Sequence, residues 1–249
     1  MPVSEKEILR YLGYREAVAD HQTMNNIKQI VVELEKRVNP KNTYGIWECR
    51  VTPISVVLGE ITINSSSLAQ HLKECSCVAL IGATLGIEAD ALVRQYSVRD
   101  MEKAVIAGAV CTAMIEAYCD SIESEIEQNL QKSLRSIGRF SPGYGDFDIV
   151  FQKNIVSLLN CGKRIGLGMT DGYMLTPSKS VTAVIGLAIA EKRCYWANNE
   201  QYTKHIACEN NEKTGNYENS DKKNETEKTG KTDKCKKCGL QNCNFKEIK

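Results

Sequence analysis

The chain has 249 residues, of which 42% are hydrophobic and 25% are charged, and its formal net charge is +1. This length is enough for one large domain or two small ones, and the composition is that of an ordinary soluble globular protein. A net charge so close to zero gives no global field that would attract nucleic acid or an anionic membrane surface. We therefore expect neither nucleic acid nor a membrane among its partners.

The apolar runs and the cysteines indicate a cytoplasmic protein. The longest apolar runs, 104–115 and 181–190, are shorter than the roughly 18 residues that a membrane span needs. Residues 1–7 are polar and acidic, unlike a secretory signal peptide. Eleven cysteines without such a signal favour reduced thiols in the cytoplasm over a disulfide scaffold. Cys77, Cys111 and Cys119 lie in apolar runs, so we expect them to pack as small hydrophobic side chains.

Helices and strands alternate in the pattern of the first hundred residues. Ser4 and Glu7 match a capping box, which predicts a helix over 4–12. Apolar residues at helical spacing predict a second helix over 16–38. Runs of β-branched and aromatic residues predict strands, and short polar caps predict helices between them. The expected elements are strands at 44–51, 56–63 and 77–81, and helices at 65–74 and 88–96.

The longest helical signal covers residues 100–135. Its first half is apolar on nearly every face, as in a helix buried in a core, and its second half alternates charges and is expected to be exposed. A further helix is predicted over 148–159, ended by Cys161 and Gly162, and a strand over 181–190. The inward-facing residues of the 148–159 helix are expected to be Ile149, Ile155, Val156 and Leu159.

The composition changes sharply after Cys208. Residues 209–234 contain no Val, Ile, Leu, Met, Phe, Trp or Cys, and such a segment cannot bury enough apolar surface to order itself. We therefore divide the chain into a folded domain at 1–208, a flexible polar linker at 209–234 and a disordered cysteine-rich tail at 235–249.

The tail contains a possible metal site. Cys235, Cys238 and Cys243 follow the pattern C-x-x-C-x-x-x-x-C, in which a short loop can turn thiolates towards one zinc ion or iron–sulfur cluster. Cys208 or His205 could supply a fourth ligand from across the linker. A redox dithiol and a tail without function remain open, because a second C-x-x-C is missing.

Other chemical motifs are weak. Residues 82–86 form a glycine-containing loop between a strand and a helix, but they match neither dinucleotide-binding nor phosphate-binding loops, so a structural turn is favoured. The three histidines, His21, His71 and His205, form no recognisable pair with an acid. A conventional hydrolase is therefore unsupported.

The most informative segment is residues 139–146, Arg-Phe-Ser-Pro-Gly-Tyr-Gly-Asp. Proline fixes φ at one position, whereas the two glycines allow positive φ and close backbone approach. A turn without function would have the same composition. Taken alone, the composition favours such a turn, and the alternative is a backbone that folds around a bound group, which the rest of the chain has to support.

Arg139-Phe140-Ser141-Pro142-Gly143-Tyr144 resembles the R-x-x-P-G-Y motif of the activation (reactivation) domain of cobalamin-dependent methionine synthase. Further segments that look like stand-alone relatives of that domain are 11–14, 38–40, 83–86 and 175–181 with Gly186. The resemblance covers about residues 4 to 195. It implies an α+β fold, with an antiparallel sheet and packed helices, that binds S-adenosylmethionine.

The resemblance also implies roles for motif residues. Arg139 would hold the carboxylate of S-adenosylmethionine, which suits a planar, permanently charged donor. Ser141 would contact the cofactor through its backbone. Gly143 would permit close approach, and the ring of Tyr144 would lie near the sulfonium. The family's N-terminal aspartate that contacts the cofactor has no clear match in this chain.

Two departures shape the expected function. The motif continues with residues 145–148, Gly-Asp-Phe-Asp, instead of the family's Pro-Ala-Cys-Pro-Asp-His-like run, so no role of that Cys or His carries over. The chain also lacks D-x-H-x-x-G, which provides a histidine ligand to cobalamin, so the cobalamin would be held by a partner protein.

The expected function is that of a stand-alone activation subunit, an accessory component of a cobalamin-dependent methionine synthase. It would present S-adenosylmethionine for reductive remethylation of the partner's cobalamin, with an electron donor such as flavodoxin or ferredoxin. No residue of the chain itself is expected to be catalytic. One alternative is a metal or iron–sulfur redox protein that acts on a corrinoid protein through its cysteine tail. Another is an interaction protein that keeps the fold without binding the cofactor.

Overall fold

The computed structural model describes residues 3–14, 19–130 and 134–189. The helices are α1 (Glu5–Tyr11), α2 (His21–Arg37), α3 (Ser66–His71), α4 (Ile87–Arg99), α5 (Met101–Asn129), α6 (Gln152–Leu158) and α7 (Cys161–Ile165). The strands are β1 (Lys41–Glu48), β2 (Arg50–Val51), β3 (Ser55–Leu58), β4 (Ile61–Asn64), β5 (Cys75–Thr84), β6 (Leu134–Phe140), β7 (Gly168–Met169), β8 (Leu175–Thr176) and β9 (Ser180–Ile189). A 3-10 turn, Ile149–Phe151, precedes α6.

A four-stranded antiparallel sheet in the order β1-β5-β9-β6 forms the middle of the fold. The central strand β5 is apolar from Cys77 to Ala83, as expected for a strand that is covered on both faces. Ala79 and Ile81 point to one hydrophobic cluster, and Val78 and Leu80 point to the other. The α+β prediction, with an antiparallel sheet and packed helices, is confirmed.

Helices α1, α2, α4 and α5 cover one face of this sheet. Small side chains on α5, such as Ala107, Val110 and Ala113, are almost fully buried. Within the described residues α5 is long and apolar enough to cross a membrane by length and composition, but more than half of its apolar stretch is buried inside the protein. It packs as a core helix of the domain, in agreement with the predicted apolar first half.

The other face of the sheet carries the three-stranded sheet β2-β3-β4 together with α3, α6 and α7. Side chains from all of these elements meet the sheet in the second cluster. Its largest fully buried members include Leu68, Leu72 and Phe147. This layer matters for function because it lies against the residues of the 139–146 segment.

Several predicted boundaries in the first half are wrong. Helix α2 begins at His21, because Asp20 is the N-cap and its side chain accepts a hydrogen bond from Thr23 N at 2.8 Å. Ser4 is the N-cap of α1, but its side chain makes no capping hydrogen bond. The strand predicted over 44–51 begins at Lys41 and is divided into β1 and β2, and the one predicted over 56–63 is the hairpin of β3 and β4.

The prediction that the long helix reaches residue 135 is also wrong. Helix α5 ends at Asn129, and β6 follows as an edge strand of the central sheet. Its pairing partner β9 lies some fifty residues further along the chain, so no local pattern reveals it. Arg139 and Phe140 therefore end a strand, and the turn of the motif begins only after them.

The predicted 148–159 helix is a 3-10 turn followed by α6. Asp148 caps the turn, since its side chain accepts a hydrogen bond from Val150 N at 2.9 Å. Ile155 and Leu159 are buried and Val156 is half-buried, as predicted, but Ile149 is 39% exposed. Cys161 begins α7 instead of ending the preceding helix, because Asn160 adopts a left-handed conformation that separates the two.

The cysteines of the described residues are free and buried. Burial raises the pKa of Cys49 and Cys119 to about 12 and that of Cys77 and Cys111 to about 11. A thiol that stays protonated is a poor nucleophile. The prediction that Cys77, Cys111 and Cys119 pack as small hydrophobic side chains is confirmed.

Gly186 of β9 leaves little room for a side chain, because residues of β6 and of the end of α3 pack against it. A Cβ atom there would lie 2.6 Å from Ile137 Cγ1 and 2.7 Å from Leu72 Cδ2. We expect Gly186→Ala to lower the free energy of unfolding by about 1–3 kcal/mol through overpacking. Urea denaturation measures this change.

Gly108 provides the matched control. It lies within α5, and outside its own helix no atom of the described residues lies within 4 Å of a Cβ built there. Alanine is more favourable than glycine inside a helix by roughly 0.5–1 kcal/mol. Gly108→Ala should therefore leave stability unchanged or raise it, and equal destabilisation by both variants would contradict the crowding argument.

Candidate functional site

A cavity of about 510 Å³ opens between the second half of α5, the end of β6 and the start of β9. Its lining is mostly polar, and it brings together residues that are up to 66 positions apart in the chain. The lining residues are Glu116, Asp120, Glu123, Gly138, Arg139, Ser141, Pro142, Tyr144, Gln152, Leu175, Ser180, Val181 and Thr182.

One wall of the cavity is the motif turn that follows β6. Gly143 N donates to Phe147 O at 2.7 Å, and Tyr144 N donates to Ser141 O at 3.1 Å, so the turn closes on itself. Gly143 has a φ of +97° and Gly145 a φ of +56°. These are backbone conformations that residues other than glycine adopt only at an energetic cost. The predicted use of both glycines for positive φ is confirmed.

Arg139 lies inside the cavity and is surrounded by acids of α5. Its Nη1 donates to Asp120 Oδ1 at 2.7 Å and to Glu123 Oε2 at 3.2 Å, and its Nη2 donates to Glu116 Oε2 at 3.1 Å. The arginine side chain is 19% exposed. Burial lowers the pKa of Arg139, but the carboxylates, Asp120 first, outweigh it and hold the pKa above its ordinary value. The guanidinium is therefore a fixed positive charge.

The lining carries an excess of negative charge. Its charged residues are Glu116, Asp120, Glu123 and Arg139, so three carboxylates face one guanidinium. These acids differ in exposure: the Asp120 side chain is 70% exposed, whereas that of Glu123 is 20% exposed. A cationic group would be attracted into this cavity.

The floor of the cavity is held by Gln152, whose side chain is buried. Its Oε1 accepts from Thr182 Oγ1 at 3.2 Å, and its Nε2 donates to Tyr173 O at 2.6 Å. These bonds connect α6 to β9 and to the segment before β8. The amide is satisfied by the protein itself, as buried polar groups require.

Asp146, at the end of the motif, fastens the turn to α3. It accepts hydrogen bonds from Ser65 Oγ, Ser66 N, Ser66 Oγ and Ser67 N, at distances between 2.6 and 2.9 Å. These hydrogen bonds favour the ionised carboxylate and hold the pKa of Asp146 well below its usual range, and the bond from Ser65 makes the largest contribution.

The lowered pKa of Asp146 predicts an acid-sensitive contribution to stability. A carboxylate whose pKa is lower in the folded state stabilises the protein fully above its unfolded pKa of about 3.9, and this contribution is lost as the pH falls further. We expect the difference in unfolding free energy between the wild type and Asp146→Asn to be constant above about pH 5 and to narrow below pH 4. A difference that stays constant down to the acid unfolding of the wild type would contradict this linkage.

The structure brings together most of the residues that the motif singled out. Arg139, Ser141 and Tyr144 line the cavity, and Gly143 lies on the same turn between them. Tyr144 is 60% exposed and lies at the mouth of the cavity.

The predicted metal ligands Cys208, Cys235, Cys238 and Cys243 lie outside the described residues, so the metal or iron–sulfur site stays a prediction. Within the described ranges no group of three or more His, Cys, Asp or Glu side chains could hold a metal ion.

Sequence reasoning missed the acids of α5 and Gln152. Glu116, Asp120 and Glu123 have the spacing i, i+4, i+7, which places them on one face of a helix, and this was the available signal. It was overlooked because a charged helix face is usually in contact with water. Gln152 gave no signal, because nothing in its neighbourhood marks it as buried.

Comparisons with known proteins support the fold. No family model and no curated protein matches this sequence. A solved structure, the MetH reactivation domain bound to AdoHcy, is similar with a TM-score of 0.54 and 15% sequence identity, over 71% of this chain and 67% of that one. At this identity the likeness concerns the fold alone, and it is the fold that the motif resemblance implied. The chain thus has the fold of a MetH reactivation domain, and residues of its 139–144 motif line a cavity in that fold.

Proposed function

We propose that the cavity binds S-adenosylmethionine. The observation that carries this proposal is that Arg139, Ser141 and Tyr144, the residues to which the motif resemblance gave contacts with that molecule, line one cavity in a fold similar to a domain that was crystallised with AdoHcy. A volume of about 510 Å³ lies within the range of small-molecule sites.

Arg139 can bind the carboxylate of the ligand, although it already forms ion pairs with three acids of α5. Asp120 is the most exposed of the three, so its bond to the guanidinium can be exchanged for one to the ligand carboxylate. The guanidinium fork can then form a bidentate pair with the ligand. Glu123, which is more buried, keeps the arginine side chain in place.

We propose further that the protein serves a cobalamin-dependent methionine synthase or a related corrinoid protein. Reduced cobalamin on that partner would accept the methyl group, an external donor such as flavodoxin or ferredoxin would supply the electron for its reduction, and S-adenosylhomocysteine would leave the cavity. The described residues of this chain would bind and orient the methyl donor. The exposed position of Tyr144 leaves the mouth accessible to such a partner.

Two measurements test the proposal. Calorimetric titration of the full chain with S-adenosylmethionine should show binding to one site. Addition of the protein to an oxidised methionine synthase that lacks its own activation domain, with S-adenosylmethionine and a reductant, should restore turnover. Absence of binding would reject the proposed function and favour an interaction protein. Binding without restored turnover would confine the proposal to the ligand and reject methionine synthase as the partner.

A further inference from the structure

Helix α3 touches the motif segment at both of the helix's ends. At its N-terminal end, Ser65, Ser66 and Ser67 donate four hydrogen bonds to the carboxylate of Asp146. Ser65 also caps the helix, since its Oγ accepts from Leu68 N at 3.0 Å. One carboxylate therefore links the last residue of the motif segment to a helix some eighty positions earlier in the chain.

The C-terminal end of α3 holds the start of the same segment. His71 Nε2 lies 3.2 Å from Gly138 O, and because a carbonyl can only accept, Nε2 is the donor. The imidazole also packs on the ring of Phe140, with 5.1 Å between ring centroids. Gly138 belongs to an irregularity in the pairing of β6 with β9, where a bulge leaves backbone groups outside the ladder. His71 supplies a partner for one of them.

The segment between these two attachments is residues 138–146, which contains Arg139, Ser141 and Tyr144. Its approach to α3 is tight, since a Cβ atom on Gly145 would lie 2.5 Å from Ser67 Oγ. The helix itself is fixed to the protein by Leu68 and Leu72, which are fully buried. The residues that face the cavity thus lie between two attachments to the same helix.

We propose that Asp146 and His71 are positioning residues, which hold the cavity-lining segment in its binding conformation through α3. Neither residue is part of the cavity lining. The proposal rests on the proposed binding of S-adenosylmethionine. Its physical basis is that a segment already ordered before binding loses less conformational entropy when the ligand arrives.

The test uses the full chain and the variant Asp146→Asn. The amide keeps the shape of the side chain but replaces an acceptor oxygen by a donor, so it cannot accept all four bonds. We expect faster amide hydrogen exchange across residues 138–147 and a dissociation constant for S-adenosylmethionine about tenfold larger, at a temperature where the variant is fully folded. His71→Phe, which keeps a ring but loses the donor, should change both quantities in the same direction by less.

Asp148→Asn is the matched control. Asp148 is also an exposed capping carboxylate, two residues further along, but it bonds to Val150 N in its own turn and not to α3. This variant should leave both the exchange of residues 138–147 and the affinity unchanged. If Asp146→Asn does not fold, Ser66→Ala removes one of the four donors and takes its place.

Each outcome decides the matter. Unchanged exchange in Asp146→Asn overturns the proposed support, and faster exchange with unchanged affinity overturns the positioning role. Equal loss of affinity in the Asp148→Asn control also overturns it, since the effect would then be a general loss of stability. If the wild type does not bind S-adenosylmethionine, the proposed function fails, and hydrogen exchange alone decides whether α3 holds the segment.

Discussion

Replacement of Arg139 by alanine is expected to abolish binding of S-adenosylmethionine, with affinity reduced by about a hundredfold or more. Among the described residues that line the cavity Arg139 is the only cation, and its removal leaves Glu116, Asp120 and Glu123 facing one another. The ligand carboxylate would then meet three negative charges and no bidentate donor. Isothermal titration calorimetry on the folded variant measures the loss.

Two controls accompany this variant. One tests whether positive charge alone is sufficient, and the other tests whether loss of any arginine lowers the affinity. Arg139→Lys keeps the charge but loses the planar fork, so it should bind with an affinity between those of the wild type and the alanine variant. Arg164→Ala removes an arginine whose Nη1 lies 3.3 Å from Thr43 Oγ1, away from the cavity, and should bind as the wild type does. Wild-type affinity in Arg139→Ala would show that the site is wrongly assigned.

The sequence predicts those parts of the fold whose structure is determined by the residues of the segment itself. The apolar run around Ile81 can only be buried, and the small apolar residues of α5 can only lie in a core. Strand β6 is not determined in this way, since its half-buried side chains satisfy no simple alternation and its pairing is with β9. Ser136 in β6 donates through its hydroxyl to Glu123 and through its N–H to Glu127 at 2.7 Å, so the junction of α5 and β6 depends on contacts that only the folded chain contains.

The candidate site divides in the same way. Arg139, Gly143 and Tyr144 could be predicted from the sequence because they belong to one short motif with unusual residue types. Asp146 belongs to the same eight residues, but its partners on α3 lie some eighty positions away, so its role as an anchor could not be read from the sequence. The acids of α5 looked like a solvated helix face, and only the position of β6 across from them turns that face into a cavity wall.

The excess negative charge of the cavity leads to a second large expected effect, which is selectivity for S-adenosylmethionine over S-adenosylhomocysteine. The two ligands share their carboxylate, amino group and adenosine, but only the first carries a positive sulfonium. With three carboxylates and one guanidinium in the lining, each unit of excess charge within several ångströms contributes on the order of 1 kcal/mol to this difference. We expect the wild type to bind S-adenosylmethionine about tenfold or more tightly than S-adenosylhomocysteine.

The double variant Glu116→Gln, Asp120→Asn should reduce this ratio of affinities by about tenfold. The control is Glu125→Gln, Asp171→Asn, which removes two exposed carboxylates that do not line the cavity and changes the net charge equally. Neutralising Glu116 and Asp120 also releases Arg139, which strengthens binding of the carboxylate, but this gain is common to both ligands and cancels in their ratio. The ratio therefore isolates the interaction with the sulfonium, and it should fall as ionic strength rises, since screening weakens this interaction and only one of the two ligands makes it. A ratio that the double variant leaves unchanged would mean that the acids of α5 only hold Arg139 and do not act on the ligand.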